Sequence, residues 1–347
     1  MNRTGFVIWW LLSAVLAGAA EPNRNAFDRA TARVNDEIIN HDYWGAESLA
    51  IDLASAYPES AGAPLELVVT YYTWIDDYGI ADSLKSKFLG AVAQTISLAD
   101  QAIARNHDEA YAHFYRGSAL AYRAIFRSYK EGVGLGNVFG IVGDARAGIE
   151  EMKLANQLDP SFADPLVGIG KYLHWKSDKF PRPFASPRDA RDGIAMLERA
   201  IRMGPRWPEG AAQALGWIYI TEKRWDDAIN LVSPLVARYP RSRFYLEIVA
   251  RAYEGKGQYQ RSEQIYQDML DNLTPRERAN DYMVMKYQRW IAELALEEGD
   301  YERACRTALP LTRLSYRGID QGWLDRKKRL VDDVIQEACP KAQSRGR

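Results

Sequence analysis

The chain has 347 residues, of which 47% are hydrophobic and 26% are charged, as is typical of a folded protein rather than a disordered one. Its 45 Lys and Arg residues nearly balance 46 Asp and Glu residues, and the formal net charge is -1. This balance excludes a dominant electrostatic attraction to nucleic acid or to an anionic membrane, so no nucleic-acid partner is expected.

The N-terminus has the three regions of a secretory signal peptide. Arg3 is followed by the apolar run FVIWWLLSAVLAGA and then by the small residues of AGAAEP. The apolar run is shorter than the roughly 20 residues that a membrane-spanning helix needs. We therefore expect a cleaved signal peptide over residues 1–20 and a periplasmic or secreted mature chain that does not span a membrane. An uncleaved membrane anchor is the alternative.

Helical periodicity dominates the chain from residue 26 onward. Apolar residues recur three and four positions apart, as in FDRATARVNDEII, and the alternating pattern of a strand is missing. Glycine and proline separate these segments, as in LDPSFADP and MGPRWPEG. The pattern predicts an all-α chain of short helical hairpins.

The segment TYYTWIDDYG, residues 70–79, places aromatic side chains next to Asp76 and Asp77. Such combinations occur in carbohydrate clefts, where a pair of carboxylates acts as acid and base. However, Tyr72 and Tyr78 also have the spacing of a packed helix face. Core packing is the favoured interpretation, and ligand contact and catalysis are the alternatives.

Six glycines fall in EGVGLGNVFGIVGDARAG, residues 131–148, which at first suggests a phosphate-binding loop. A dinucleotide-binding loop needs a buried strand before its glycines, whereas AYRAIFRSYKE precedes these with a helical pattern. The spacing also differs, because Asn137 stands where the third glycine is required. We therefore predict an enlarged turn over residues 127–142 between two helices, with a ligand flap as the alternative.

Two consecutive segments, 209–240 and 243–270, repeat with a period of 34 residues. The equivalent positions are Tyr219 and Tyr253, Trp225 and Tyr259, and Ala228 and Ser262. This period, with small residues where two helices touch, resembles the tetratricopeptide repeat (TPR). The resemblance implies a right-handed α–α superhelix, a solenoid of helical hairpins with an extended concave surface.

The resemblance is clearest over roughly residues 110–315. With the signal peptide, it predicts this organisation: divergent helical hairpins over 21–108, TPR-like repeats over 109–318 with insertions near 127–142 and 176–188, a capping helix over 319–340 and a disordered tail over 341–347.

In the family that the chain resembles, the first helix of each repeat lines the concave groove. Carried over to the matching positions, the resemblance implies a mixed aromatic and charged strip suited to a peptide or a polar ligand. Its predicted members are Tyr111, Phe114, Lys171, His174, Gln213, Trp217, Glu247, Arg251 and Arg289.

Cys305 and Cys339 are 34 residues apart, one repeat length. Successive helices of such a stack run antiparallel, so the start of the last repeat's second helix should lie near the end of the capping helix. An exported chain would meet an oxidising compartment, which favours a disulfide over two buried free thiols, the alternative.

No residue pattern indicates catalysis, a metal or a cofactor. The four histidines, His41, His107, His113 and His174, lack metal-ligand spacing, and no serine nucleophile motif is present. The leading hypothesis is an exported, non-catalytic scaffold that binds a protein or peptide partner in its groove. The alternatives are a transport-associated small-ligand binding component with a glycine-rich lid and a carbohydrate-active α/α enzyme. The oligomeric state stays open.

Overall fold

The computed structural model describes residues 24–130, 136, 138–179, 186–314 and 321–345. Within these ranges every regular element is a helix, in agreement with the all-α prediction. The predicted signal peptide and parts of both predicted insertions lie outside the described residues. None of the described helices is long and apolar enough to cross a membrane.

In the described part of the chain, seven helical hairpins follow one another and are followed by a long final helix. The helices are α1 (Arg24–Ile39), α2 (Tyr43–Ala56), α3 (Gly62–Tyr78), α4 (Ala81–Arg105), α5 (Ala110–Lys130), α6 (Val138–Leu158), α7 (Asp164–Lys179), α8 (Pro187–Met203), α9 (Pro208–Thr221), α10 (Trp225–Arg238), α11 (Arg243–Gly255), α12 (Tyr259–Asp271), the short α13 (Pro275–Arg278), α14 (Asp281–Glu297), α15 (Tyr301–Ala308) and α16 (Gln321–Arg345). A 3-10 helix, Leu309–Arg313, follows α15.

Local sequence signals fix where helices begin and end. Ser186 caps α8 and exchanges hydrogen bonds with Asp189 in a capping box, and Pro187 occupies the first turn, where a missing N–H costs nothing. Gly204 ends the same helix with a φ of 78°, a conformation that glycine adopts without strain. The breakers read from the sequence therefore act as helix boundaries.

Two boundaries differ from the prediction. The helices α5 and α6 extend to Lys130 and from Val138, so they occupy much of the predicted turn over residues 127–142. Gly140 and Gly143 consequently lie inside α6. The final helix continues to Arg345 and so includes most of the segment 341–347 that was predicted to be a disordered tail.

Successive hairpins pack side by side, but the two ends of the stack also meet. The first helices of the hairpins form the inner layer, in which α3 contacts α5 and α9 contacts α11. In addition, α3 contacts α14, and α16 contacts α5. Val68 of α3 and Met283 of α14 are both fully buried in one continuous hydrophobic core. The superhelix therefore turns until its first and last hairpins share a core.

Candidate functional site

A buried ion cluster joins the two ends of the superhelix. The Arg243 guanidinium at the start of α11 donates to Asp77 of α3 at 2.6 Å and to Glu277 of α13 at 2.6 Å. Lys286 of α14 lies 3.5 Å from the second Asp77 oxygen. His41 completes the set, which we name the closing cluster: His41, Asp77, Arg243, Glu277 and Lys286.

The hydrogen bonds of His41 define its tautomer. The backbone N–H of Arg243 donates to His41 Nε2 at 2.9 Å, so this nitrogen carries no proton. His41 Nδ1 therefore holds the proton and donates to Asp77 Oδ2 at 3.0 Å. Burial, with the nearby Arg243 charge, lowers the pKa of His41 to about 4, so the ring is neutral near pH 7.

Asp77 is the centre of this cluster and is ionised. Burial alone would raise its pKa, but Arg243 and His41 hold that pKa well below its ordinary value. The hydroxyl of Tyr43 also donates to Asp77, at 3.1 Å. The acid–aromatic segment around residues 70–79 is thus mainly a packing element, with its second carboxylate committed to Arg243.

Asp76, the other acid of that segment, faces the inside of the superhelix. It is exposed to solvent, yet desolvation by the surrounding protein raises its pKa to about 6. Lys171 of α7 is likewise exposed, and desolvation lowers its pKa. Both residues lie on helices of the inner layer, α3 and α7, and we assign them to the inner face.

Two further ionisable side chains on the inner helices also have shifted pKa values, although Glu66 is buried and Lys327 is half-buried. Burial raises the pKa of Glu66 of α3 to about 8, against the opposing charge of Arg206. Burial, together with the positive charges of Arg289 and Lys286, lowers the pKa of Lys327 of α16. With a pKa of about 8, Glu66 is neutral near pH 7. We name the other three residues the inner-face charges: Asp76, Lys171 and Lys327. In the described part of the chain, none of these three side chains has an ion pair.

A small cleft of about 40 Å³ opens beside the closing cluster, between α11, α14 and α16. We name it the α14 cleft. Lys286 bridges it to the closing cluster, because its ammonium also lies 3.4 Å from a Glu247 oxygen. Its lining combines three cations, one acid and apolar side chains: Glu247, Tyr282, Met285, Lys286, Arg289, Trp290 and Lys327.

The predicted groove residues of the first clear repeat are engaged in packing. Tyr111 stacks on Phe162 with ring centroids 4.1 Å apart, and the Arg24 guanidinium lies 3.2 Å from the Tyr111 centroid. Phe114 meets the same Phe162 edge-on at 5.1 Å. The guanidinium of Arg206 lies 5.4 Å from both the Tyr111 and Phe114 rings.

The middle groove positions are more accessible. Lys171 is exposed, and Gln213 and Trp217 of α9 are partly exposed, with Trp217 packing on the core formed by α9, α10 and α11. His174, by contrast, is buried, and its Nε2 lies 2.9 Å from a carboxylate oxygen of Glu222.

The last three predicted groove residues lie in or beside the α14 cleft. Glu247 and Arg289 line it. Arg251 pairs with Glu254 at 2.6 Å and stacks over Trp290, 4.2 Å from its centroid. The structure therefore brings Glu247, Arg251 and Arg289 together and leaves them apart from the aromatic pair on α5.

Neither the closing cluster nor Lys286 and Lys327 was predicted as part of a site from the sequence. The available signal was an acid, Asp77, inside a helix whose other side chains are almost all buried. The predicted pairing of the cysteines is present in the structure, where Cys305 and Cys339 form a disulfide with Cα atoms 4.9 Å apart. The described residues include no group of side chains arranged to hold a metal ion.

No protein-family model and no curated protein matches the chain. Among solved structures, a tetratricopeptide repeat protein from Parabacteroides merdae is 11% identical with a TM-score of 0.42, covering 90% of this chain and 98% of that one. A human IFIT1 dimer with PPP-AAAA is 9% identical with a TM-score of 0.47, covering 85% and 74%. Yeast Tom70 is 13% identical with a TM-score of 0.42, covering 94% and 69%. The consecutive hairpins and the 34-residue period give this chain an all-α helical-repeat architecture that resembles the TPR.

Proposed function

We propose that this chain is an exported repeat scaffold that binds a protein or peptide partner on its inner face and performs no catalysis of its own. One observation carries the proposal: the inner-face charges lie on packed helices, lack ion-pair partners within the described residues and are partly desolvated. A complementary polar chain would restore the interactions that these groups lose on leaving water. Because the helices are already ordered, binding would cost the scaffold little conformational entropy.

We assign the partner-binding surface to the solvent-accessible residues of the predicted groove. Lys171 and Gln213 lie on successive inner helices, α7 and α9, and Trp217 follows Gln213 by one helical turn. The arrangement is mixed in polarity, which suits an extended peptide with an acidic or polar side chain. The proposed surface therefore consists of Lys171, Gln213 and Trp217.

Site-specific crosslinking tests this surface. A photoreactive residue at Gln213 is expected to capture a defined partner from an extracytoplasmic extract, and the same residue at the exposed Arg199 of α8 is not. Lys171→Glu should reduce capture at Gln213 at least tenfold, whereas the matched reversal Arg199→Glu should leave it unchanged. Equal capture from both positions, or no effect of Lys171→Glu, would remove the surface from the proposal.

Export is the second part of the proposal and rests on the pattern of residues 1–20. Expressed in a bacterial host, the mature protein should be recovered outside the cytoplasm with its first residue at or near Glu21. Edman sequencing of that product reads the cleavage position. A chain that keeps Met1 and stays in the membrane fraction would instead establish the uncleaved anchor.

Binding of a small ligand is the second candidate function, and the α14 cleft favours it. The cleft is narrow, and its wall holds charged groups of both signs beside Trp290 and Met285. A short list of well-placed polar groups in a concave, partly apolar site is what small-molecule sites share. This cleft is separate from the partner surface on α7 and α9.

A further inference from the structure

Three aromatic side chains lie in the C-terminal halves of the inner helices α3, α5 and α7. Trp175 of α7 is 43% exposed. Tyr72 of α3 and Tyr122 of α5 are half-buried, and their rings touch with centroids 5.1 Å apart. Tryptophan and tyrosine are enriched at binding interfaces, because each combines a large apolar face with a polar group. We name these residues the aromatic row: Tyr72, Tyr122 and Trp175.

Two glycines show that Tyr122 and Trp175 occupy equivalent positions. A Cβ atom on Gly117 of α5 or on Gly170 of α7 would lie 2.7 Å from a glycine carbonyl oxygen of the following helix. Each glycine therefore marks the point where the first helix of a hairpin comes closest to its second helix. Tyr122 and Trp175 both follow their glycine by five residues. The two side chains consequently leave neighbouring inner helices on the same side.

This equivalence leaves a slot between Tyr122 and Trp175. The axes of packed helices are about 8–10 Å apart, and rings at equivalent positions are separated by a similar distance. Within the described residues, these two rings make no contact with each other. A flat apolar group that touches one ring on each side needs about 7–8 Å, which is twice a carbon–carbon contact distance. The slot therefore has the width of one small ring.

Two polar groups lie beside the slot. Lys171 is exposed, precedes Trp175 by one helical turn and has no ion pair in the described part of the chain. The Tyr122 hydroxyl makes no hydrogen bond to any described residue. A matching ligand therefore combines an apolar ring with a hydrogen-bond acceptor for Tyr122 and a negative charge for Lys171.

A proline-rich segment has this combination. The pyrrolidine ring is small and apolar, and the polyproline II conformation leaves the backbone carbonyl groups free to accept hydrogen bonds. Aromatic-lined grooves recognise such segments, which lose little conformational entropy on binding. A sugar ring of the same width would instead need several hydrogen-bonding side chains around its hydroxyl groups.

We propose that the aromatic row binds a proline-rich peptide segment in the polyproline II conformation. One proline ring enters the slot between Tyr122 and Trp175, and an acidic side chain of the peptide pairs with Lys171. Tyr72 extends the apolar wall that Tyr122 forms. The inference rests on the proposed function, because Lys171 also belongs to the partner surface, and it specifies the composition and conformation of the bound segment.

Fluorescence anisotropy with the full chain and labelled peptides tests the inference. A peptide of three Pro-Pro-Glu repeats should bind roughly tenfold more tightly than three Ala-Ala-Glu repeats of the same charge, and than three Pro-Pro-Lys repeats. Absence of binding, or equal affinity for the proline and alanine peptides, would overturn the proposal. Displacement of the peptide by chitohexaose would assign the slot to a sugar and would also overturn it.

Variants locate the peptide in the slot. Trp175→Ala should weaken binding of the Pro-Pro-Glu peptide by roughly tenfold or more. Phe139→Ala is the control, because Phe139 is an aromatic residue of α6, 85% exposed and outside the inner layer. Since Trp175 is exposed, Trp175→Ala is expected to retain the fold, which its melting curve checks. Unchanged affinity in Trp175→Ala, or an equal loss in Phe139→Ala, would contradict the proposal.

Charge reversal tests the role of Lys171. Lys171→Glu should reverse the preference between the two charged peptides, so that the Pro-Pro-Lys peptide binds more tightly than the Pro-Pro-Glu peptide. An unchanged preference would exclude Lys171 from the site and so contradict the proposal.

The slot and the partner surface can fail separately. If crosslinking from Gln213 captures a partner that the Pro-Pro-Glu peptide does not displace, the proposed function stands and the inference about proline is wrong. If Gln213 captures nothing while the peptide binds in a manner that depends on Trp175, the slot is supported and the partner surface is wrong.

Discussion

At the scale of single residues, His41 combines three constraints. Its φ of 63° lies in the left-handed region, which asparagine and glycine adopt more readily than other residues. Its ring is buried, and both ring nitrogens have partners, Asp77 and the backbone of Arg243. The left-handed backbone turns the chain between α1 and α2 so that the ring reaches across to the last hairpins.

The low pKa of His41 makes stability depend on pH. The folded-state pKa, about 4, lies below the ordinary value of 6.5, so between these values the unfolded chain binds the proton and the folded chain does not. Stability therefore falls as pH decreases through this window. At pH 4.5 the contribution lost from this residue is on the order of 2 kcal/mol relative to pH 7.

We expect His41→Asn to remove this dependence, because asparagine tolerates the backbone conformation and does not titrate. Urea unfolding at pH 7 and pH 4.5 gives the free energy of unfolding for both proteins. Between the two pH values, the wild type should lose on the order of 2 kcal/mol more stability than the variant. Glu66 has a raised pKa, so its contribution to stability increases as pH falls. Because both proteins contain Glu66, this contribution cancels in the comparison. Equal losses in the two proteins would show that His41 titrates normally.

The residues of the candidate site could be predicted from the sequence only in part. The resemblance to the TPR predicted Glu247, Arg251 and Arg289 on inner helices, and the structure brings them together around the α14 cleft. The contact between Asp77 and Arg243 spans 166 residues of sequence. This contact forms only if each hairpin is rotated by the right angle relative to the next. The angle is small, it adds up over several repeats, and no short stretch of sequence specifies it.

At the scale of elements, the two helices within each of two hairpins approach closely where a glycine of one helix meets a glycine of the other. A Cβ atom on Gly193 of α8 would lie 2.6 Å from the carbonyl oxygen of Gly170 of α7. Gly117 and Gly148 have the same relationship where α5 meets α6, at 2.7 Å. Close approach of two backbones explains why glycine occupies positions inside regular helices, where it is otherwise unfavourable.

Gly193→Ala should therefore destabilise the chain by about 1–3 kcal/mol, because the added methyl group meets backbone that cannot move aside easily. Gly90→Ala is the matched control, since a Cβ there would have no neighbour within 4 Å. That control should stabilise α4 by roughly 0.5–1 kcal/mol through helix propensity. Chemical denaturation measures both changes. A neutral Gly193→Ala would mean that α7 and α8 are farther apart than described.

The disulfide fixes α16 to α15. Replacing both cysteines, Cys305→Ser with Cys339→Ser, should lower the free energy of unfolding by about 3–4 kcal/mol, because the unfolded chain regains the freedom of a loop spanning 34 residues. Mass spectrometry after alkylation of the unfolded wild type, with and without reductant, provides the control. Alkylation of both cysteines without reductant would show two free thiols instead.

The segments that form helices were predictable because caps and breakers act locally. The exact lengths of the helices were less predictable. Ser186 and Gly204 bound α8 as their residue types indicate. The glycines suggested a later start for α6, and the polar composition of residues 341–347 suggested an earlier end for α16, than the structure shows. Packing against α5 and α15 outweighs those weak preferences, as tertiary contacts commonly do for helix propensity.

At the scale of the whole molecule, closure changes what kind of repeat protein this is. In an open solenoid each repeat contacts only its neighbours, so the ends can unfold independently. Here α3 and α14 share a core, and further hydrogen bonds cross the same junction. Tyr239 donates to Asp36 at 2.6 Å, and the Asn280 amide donates to the Tyr78 carbonyl at 3.1 Å. The two ends should therefore unfold together.

Hydrogen exchange tests this coupling, with Arg243→Met as the perturbation. In the wild type, the amides of Val68 and Met283 should exchange with the same free energy within about 1 kcal/mol, because both require the global opening. Arg243→Met leaves Asp77 and Glu277 buried without their main counter-charge and should cost about 3–5 kcal/mol. The exposed Arg241, which donates only to a backbone carbonyl at 3.3 Å, provides the control Arg241→Met. If both substitutions cost the same, or if the two wild-type amides differ by several kcal/mol, the ends of the superhelix are not energetically joined.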